Sequence, residues 1–458
     1  MTTTAGRART TTAAARPGPA WRNWSGTATA HAQRFWRPRD AADVVRAVRW
    51  AARAGLRVRA VGGGHSFTDA AVTDGVLLSL DHLSGLEHLE RRPDGTAHVT
   101  VGAGTRLRTL NRLLAAHGLA MENLGDIDRQ SVAGAISTGT HGTGARLGGL
   151  ATQVVGVRLV GADGEVRAVD ATRDPALFEV ARLGLGSVGV LVAVTLRVVP
   201  AFTLRAREEA HDLVDVLDRL DGPDGWVATT DHVDLYWFPF TRRALVKRND
   251  RVPAGSGPRL AVRRRLEDEL LQNGAFELTN RVAAALPRTV PALNAVAARA
   301  LADRTYCAPS ADVLVTRRRV VFREMEYAVP RDALRDVVEE VDAWLRRTRE
   351  PVPFPVEIRF TAPDDVWLST AYQRPSAYLA VHQYHRLPHA RYFDAVEAIV
   401  RTVDGRPHWG KLHGLDAARL AELYPRFDDA RAVRAEHDPD GLFRNAYTDR
   451  VLGPVLRP

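Results

Sequence analysis

Cysteine is all but absent, with Cys307 alone in 458 residues. A single thiol excludes an intramolecular disulfide framework and any cysteine-based zinc site, and it is compatible with a reducing compartment. Lysine is almost as scarce. Of 63 basic residues only Lys247 and Lys411 are lysines, and so strong an arginine bias accounts for the net charge of +9 without a nucleic-acid partner. The densest runs, Arg263 to Arg265 and Arg317 to Arg319, lack the interleaved aromatics of a single-strand platform and read as solvated faces. Long apolar runs are missing too. The longest, Val188 to Leu196, has about half the length that a membrane-spanning helix needs. Residues 1 to 20 hold no acidic residue and no apolar stretch of secretory-signal length. The expectation is a disordered tail on a cytoplasmic protein with no integral membrane span, and the sequon-like Asn23-Trp24-Ser25 then carries no weight.

What is present is ordinary globular material, long enough for two or three domains. Val44, Val45, Val48 and Ala51 recur at helical spacing from Asp40 to Ala54, and Gly55 supplies the stop. Strands are expected at Leu56 to Val61, Val76 to Leu80, Ala97 to Val101 and Val188 to Val199, with a helix from Leu107 to Ala116. Asp163-Gly164 marks a hairpin between Val154 to Val160 and Glu165 to Val169. Glycine thins out after Pro200, which suggests a domain boundary. Beyond it, strands are expected at Val313 to Glu326, Val356 to Thr361 and Tyr378 to Tyr384, with a helix from Arg331 to Arg347. That order suggests an α+β domain.

Three glycine-rich turns follow strand-like runs: Gly62-Gly63-Gly64-His65-Ser66, Gly102-Ala103-Gly104-Thr105 and Gly139-Thr140-His141-Gly142-Thr143-Gly144. Successive amides without side chains in the way form anion nests suited to a pyrophosphate. The third glycine of a dinucleotide fingerprint is missing, because Phe67 stands there, and no Gly-Lys-Ser/Thr ending makes a P-loop. Ser137 has Gly139 after it but Ala135 before it, so the hydrolase elbow fails as well.

The segments Asn23-Trp24-Ser25-Gly26, Val58 to Phe67 (VRAVGGGHSF), Asn123-Leu124-Gly125-Asp126, Ser137 to Gly144 (STGTHGTG), Met325-Glu326-Tyr327, Val356-Glu357-Ile358-Arg359, Val381-His382-Gln383-Tyr384 and His408-Trp409-Gly410-Lys411 together resemble a family. It is that of the covalent flavoproteins of the vanillyl-alcohol oxidase fold, and within it the FAD-linked L-gulono-1,4-lactone dehydrogenase and D-arabinono-1,4-lactone oxidase group. The resemblance implies an FAD-binding domain of two subdomains at 21–200, an α+β substrate-capping domain at 201–420 and a segment at 421–458 that returns to the FAD. It implies flavin-dependent oxidation of an aldono-1,4-lactone at the carbon next to the lactone carbonyl, with oxygen or another acceptor taking the electrons. An alditol oxidase acting on linear polyols is the alternative within the fold. A non-catalytic ligand-binding protein or a hydrolase is the alternative outside it.

The resemblance makes His65 the covalent attachment point of FAD. It gives cofactor binding to Gly62, Gly63, Gly64, Ser66, Gly125, Asp126, Ser131, Gly134, Ser137, Thr138, Thr140, His141, Gly142 and Lys411. No metal is implied. Glu357 and Arg359 are two apart on a strand and so share a face. An acceptor beside a planar five-donor fork suits a polyhydroxylated sugar, a surface ion pair being the other reading. His382 is the candidate base for the hydroxyl proton, or else a buried structural histidine. Lys411 is expected near the N1 edge of the flavin.

Overall fold

The computed structural model describes residues 20–253, 255–258, 262–316 and 318–455, with side chains omitted from 262 to 272. The expected tail, Arg317 and the side chains of Arg263 to Arg265 lie outside the described residues. The first helix runs Ala41–Arg53, its N-terminus capped by the Asp40 carboxylate on the Asp43 amide, and it buries Val44, Ala47, Val48 and Ala51. Gly55 ends it with φ +65°, a conformation that favours glycine. The chain then enters the strand Val58–Val61, which pairs in parallel with Val76–Ser79, itself parallel to Arg34–Trp36.

A second sheet is antiparallel and centres on the long strand Val190–Pro200, flanked by Val154–Val160 and Ala97–Gly102. The hairpin at Gly164 closes as expected, joining Val154–Val160 to Val166–Val169. After Pro200 all further strands join one antiparallel eight-stranded sheet, which begins with Thr203–Asp212 and ends with Arg406–Pro407. The helix Leu334–Thr348 buries Val337, Val338, Val341 and Leu345. Helices and sheets in separate layers give the expected α+β class.

The expected strand from Val313 to Glu326 is not one element. A short helix, Ser310–Leu314, is followed by a loop, and the strand begins only at Phe322. Tertiary contacts override the β-propensity of the Val-Leu-Val run. The Thr316 amide donates to the Asp126 carbonyl at 2.8 Å, and Arg318 turns inward to Asp126 and Glu357. A ladder strand would aim these groups elsewhere.

The last helices fold back on the first sheet. Val58 donates to the Leu442 carbonyl at 2.8 Å. Buried Arg59 reaches the carbonyls of Ala70, Leu185 and Phe443 at 2.8, 2.7 and 2.6 Å. Asn445 caps the helix Ala446–Leu452 in a capping box with Thr448, while its amide nitrogen donates to Asp69 and Val72. Losing such a cap costs about 1 kcal/mol, and here it would also release a tie between distant segments.

Candidate active site

The Gly62–Ser66 turn, the helix Val132–Ser137 and its flanks line a cleft. A Cβ at residue 62 would lie 1.8 Å from the Ser131 Oγ, and one at residue 63 would lie 2.7 Å from the Arg129 carbonyl. Only glycine fits at either place, because the turn passes directly over the start of that helix. Gly64 has φ +64°. Ser131 caps the helix through the Gly134 amide at 3.2 Å. Ser66, Ser131, Gly134, Ser137 and Thr138 all line this cleft.

His65 stands in its wall, tilted against Trp24 with ring centroids 5.6 Å apart. Its Nδ1 is buried without a hydrogen-bond partner. Burial pulls the imidazole down to about 4, and Arg106, Lys411 and Arg129 push the same way. The ring is therefore neutral near pH 7 and keeps a lone pair. A cleft over a side-chain-free turn, with an unpartnered neutral imidazole in its wall, fits a dinucleotide flavin.

A second cleft shares His65, Ser66, Gln130 and Thr138 with the first, so the two are continuous. Its walls include Gly125, Asp126, Thr140 and His141 together with Glu357, Arg359 and Lys411. Glu357 and Arg359 do share a face and pair directly. The surface-pair reading fails, because their side chains are only 4% and 10% exposed. Tyr236 Oη donates to Glu357 Oε1 at 3.0 Å, and Arg318 Nη2 donates to Glu357 Oε2 at 2.9 Å. Burial alone would raise the Glu357 carboxyl, but Arg359 and Arg318 outweigh it and hold the group at about 2.

Asp126 meets this cluster rather than the glycine cradle. It accepts from Arg318 Nε at 2.8 Å and lies 3.5 Å from Arg359 Nη2. Lys411 pairs with Glu324, and its ammonium lies 5.1 Å from the Phe67 ring centroid.

Two expected site residues do not reach the cleft. Gly142 packs on Asn123 and Leu124, where a Cβ would come within 2.3 Å of either. Its role is close packing. His382 is buried behind the wall with Phe322 edge-on and Phe354 stacked upon it. Its Nε2 is 3.5 Å from Glu324 Oε1 and 3.9 Å from Glu357 Oε2, beyond good hydrogen-bond reach of both. Its register partner Glu324 does line the cleft, so His382 shares that sheet face, and it is the packing of Phe322 and Phe354 that covers it.

Four ionisable wall residues went unforeseen: Arg318, Glu324, Glu326 and His408. Arg318 was hidden in an arginine run taken as solvated. Glu324 and Glu326 alternate in Arg323-Glu324-Met325-Glu326 with period two, and two charges on one face of an otherwise apolar strand were the available signal. His408 Nδ1 accepts from the Gly410 amide at 3.0 Å.

Among known proteins, the family model for D-arabinono-1,4-lactone oxidase matches residues 194–451 and that for an FAD binding domain matches 32–170. The L-gulono-1,4-lactone dehydrogenase of Mycobacterium tuberculosis is 41% identical over 436 residues, 95% of this chain and 100% of its own. The L-gulonolactone oxidase of Bos taurus is 31% identical over 442 residues, 95% of this chain and 98% of its own. A solvent-stable cholesterol oxidase of known structure superposes with a TM-score of 0.76 at 20% identity, covering 95% of this chain and 97% of its own. That last likeness concerns the fold alone. With one cleft floored by glycine and the other walled by Glu357 and Arg359, the chain belongs to the D-arabinono-1,4-lactone oxidase family and carries its FAD binding domain.

Proposed function

We propose that the protein oxidises an aldono-1,4-lactone of L-gulono or D-arabinono type at the carbon next to the carbonyl, as an FAD-dependent oxidoreductase. The observation that carries this reading is the meeting of His65 with Glu357, Arg359 and Lys411 along one continuous cleft. Bound FAD supplies a two-electron acceptor for the carbon hydride. The residues at 21–200 hold it in this reading, those at 201–420 cap the substrate, and 421–458 returns to the cofactor. Its covalent attachment is assigned to His65, on the strength of the buried, unpartnered Nδ1.

Glu357 stays ionised and accepts from lactone hydroxyls, while Arg359, whose Nε has no protein partner, donates to lactone oxygens. The hydroxyl proton is lost as the carbon hydride leaves. His382, beyond hydrogen-bond reach of Glu357 and Glu324 and covered by Phe322 and Phe354, does not touch the lactone in this reading. Lys411 offsets the negative charge that develops when hydride arrives. No helix among the described residues is long and apolar enough to cross a membrane. A cytoplasmic location is part of the proposal and is supported by the single, buried Cys307.

The test is anaerobic reduction of the purified flavoprotein by L-gulono-1,4-lactone, D-arabinono-1,4-lactone and xylitol, followed by reoxidation with oxygen or a cytochrome. Bleaching by a lactone is the expected result. Bleaching by xylitol alone would transfer the reading to an alditol oxidase, and reoxidation separates oxidase from dehydrogenase.

A further inference from the structure

His141, Glu326 and His408 are all buried, and one ligand-type atom from each lies within 4.8 Å of the others. That triangle resembles a metal site, but hydrogen bonding argues otherwise. The Gly410 amide donates to His408 Nδ1 at 3.0 Å, so this nitrogen must present its lone pair. In a neutral imidazole the proton then sits on Nε2. Neither nitrogen is left with a free lone pair for a cation. What the ring offers instead is an N–H donor. His141 cannot absorb it, because its own nitrogens face the Gly142 carbonyl at 2.9 Å and Glu326 Oε1 at 3.1 Å.

His408 lines the second cleft together with Lys411, Glu326 and Thr138. Among the described residues the ring's only hydrogen bond is the one from Gly410. The Gly410 backbone also lies close against it: a Cβ there would come within 3.3 Å of His408 Cε1. We infer that His408 is a fixed, neutral N–H donor, tautomer-locked by the Gly410 amide, aimed at an oxygen or nitrogen that gains negative charge during lactone oxidation. The inference rests on the proposed flavin-dependent reaction and adds a catalytic group to it.

The electrostatics agree with a neutral ring. Burial pulls the imidazole down to about 3, with Lys411 and His141 acting in the same direction and Glu326 and Glu324 opposing. A donor that never ionises in the working range presents the same dipole at every pH. It costs no reorganisation when charge appears. The acceptor is either the flavin ring or a lactone oxygen, and the two differ in what they report.

The experiment compares His408→Leu, which removes the donor, with His408→Gln, which keeps an N–H at similar reach, in the FAD-loaded protein. Wild-type bleaching by lactone must be seen first, which separates failure of the general reading from failure of this one. His408→Leu is expected to slow reduction by roughly ten- to a hundred-fold at unchanged FAD content, and His408→Gln to recover most of that loss. A lowered midpoint potential in the Leu variant assigns the acceptor to the flavin. Weaker binding of lactone at unchanged potential assigns it to the substrate. Should the Leu variant not fold, ¹⁵N-histidine resonances of the wild type decide: an Nε2–H tautomer that does not titrate between about pH 5 and 8 supports the assignment. A wild-type rate in the Leu variant overturns it. So does an Nδ1–H tautomer, or an ionisation near neutrality that disappears with His408.

Discussion

The ammonium of Lys411 rests on a carboxylate oxygen of buried Glu324, and both residues line the second cleft. Beside a reduced flavin, a cation about 4 Å away is worth on the order of 4 kcal/mol at an effective dielectric of about 20, an upper figure that the paired carboxylate reduces. Lys411→Met is therefore expected to lower the flavin midpoint potential and slow reduction by lactone. Glu324→Gln should shift the potential the other way. Unchanged potentials in both variants would remove the pair from the flavin's field.

Glu357→Gln and Arg359→Ala should each slow lactone turnover with FAD content intact. Loss of one charge-assisted hydrogen bond is worth about 1.5 to 3 kcal/mol, or roughly ten- to a hundred-fold in rate. Arg359→Ala also leaves Glu357 and Asp126 short of a partner, so the thermal midpoint has to be measured alongside kcat/KM. Near-wild-type kcat/KM in both would take the lactone away from this wall.

Gly62→Ala should lose FAD, since the new Cβ would overlap the Ser131 hydroxyl. Overpacking of this kind costs about 1 to 3 kcal/mol, paid where the turn crosses the helix start. The absorbance ratio of flavin to protein reads the outcome. In the native chain, acid precipitation should leave the flavin on the peptide that contains His65; flavin in the supernatant would disprove the covalent bond.

Three imidazoles, His408 buried and His65 and His413 half-buried, give the fold an acid sensitivity. Burial holds His65 at about 4 and both His408 and His413 at about 3. Below about pH 6.5 the unfolded chain takes up protons that these folded rings refuse. Their contribution is therefore complete above that pH and is lost as pH falls toward the folded values. His413, bonded to Tyr447 Oη at 3.2 Å, does not line either cleft. His413→Gln should flatten the fall in stability between about pH 7 and 5 without changing turnover at neutral pH. Denaturant midpoints across that range would show it, and an equally steep fall in the variant would exonerate His413.

What could be read from the chain was local. The glycine cradle is legible because each close crossing needs a residue without Cβ, and Glu357 with Arg359 because period two puts them on one face. The pairing of Arg318 with Asp126 was not, since 192 residues separate them and only the fold joins them. His382 went astray for a related reason. Its strand face was readable, but the packing of Phe322 and Phe354 that covers it comes from segments distant in the chain. The strand expected through Val313 failed where ion pairs, invisible to propensity, bent the chain inward.

The arginine at residue 59 has a bearing on where the chain can be cut. Its guanidinium joins carbonyls at Ala70, Leu185 and Phe443, the last 384 positions away, and it also lines the larger cleft with Phe443. That wall therefore depends on the C-terminal segment, and a chain truncated before Phe443 would leave a buried cation short of a partner and the cleft without part of its lining.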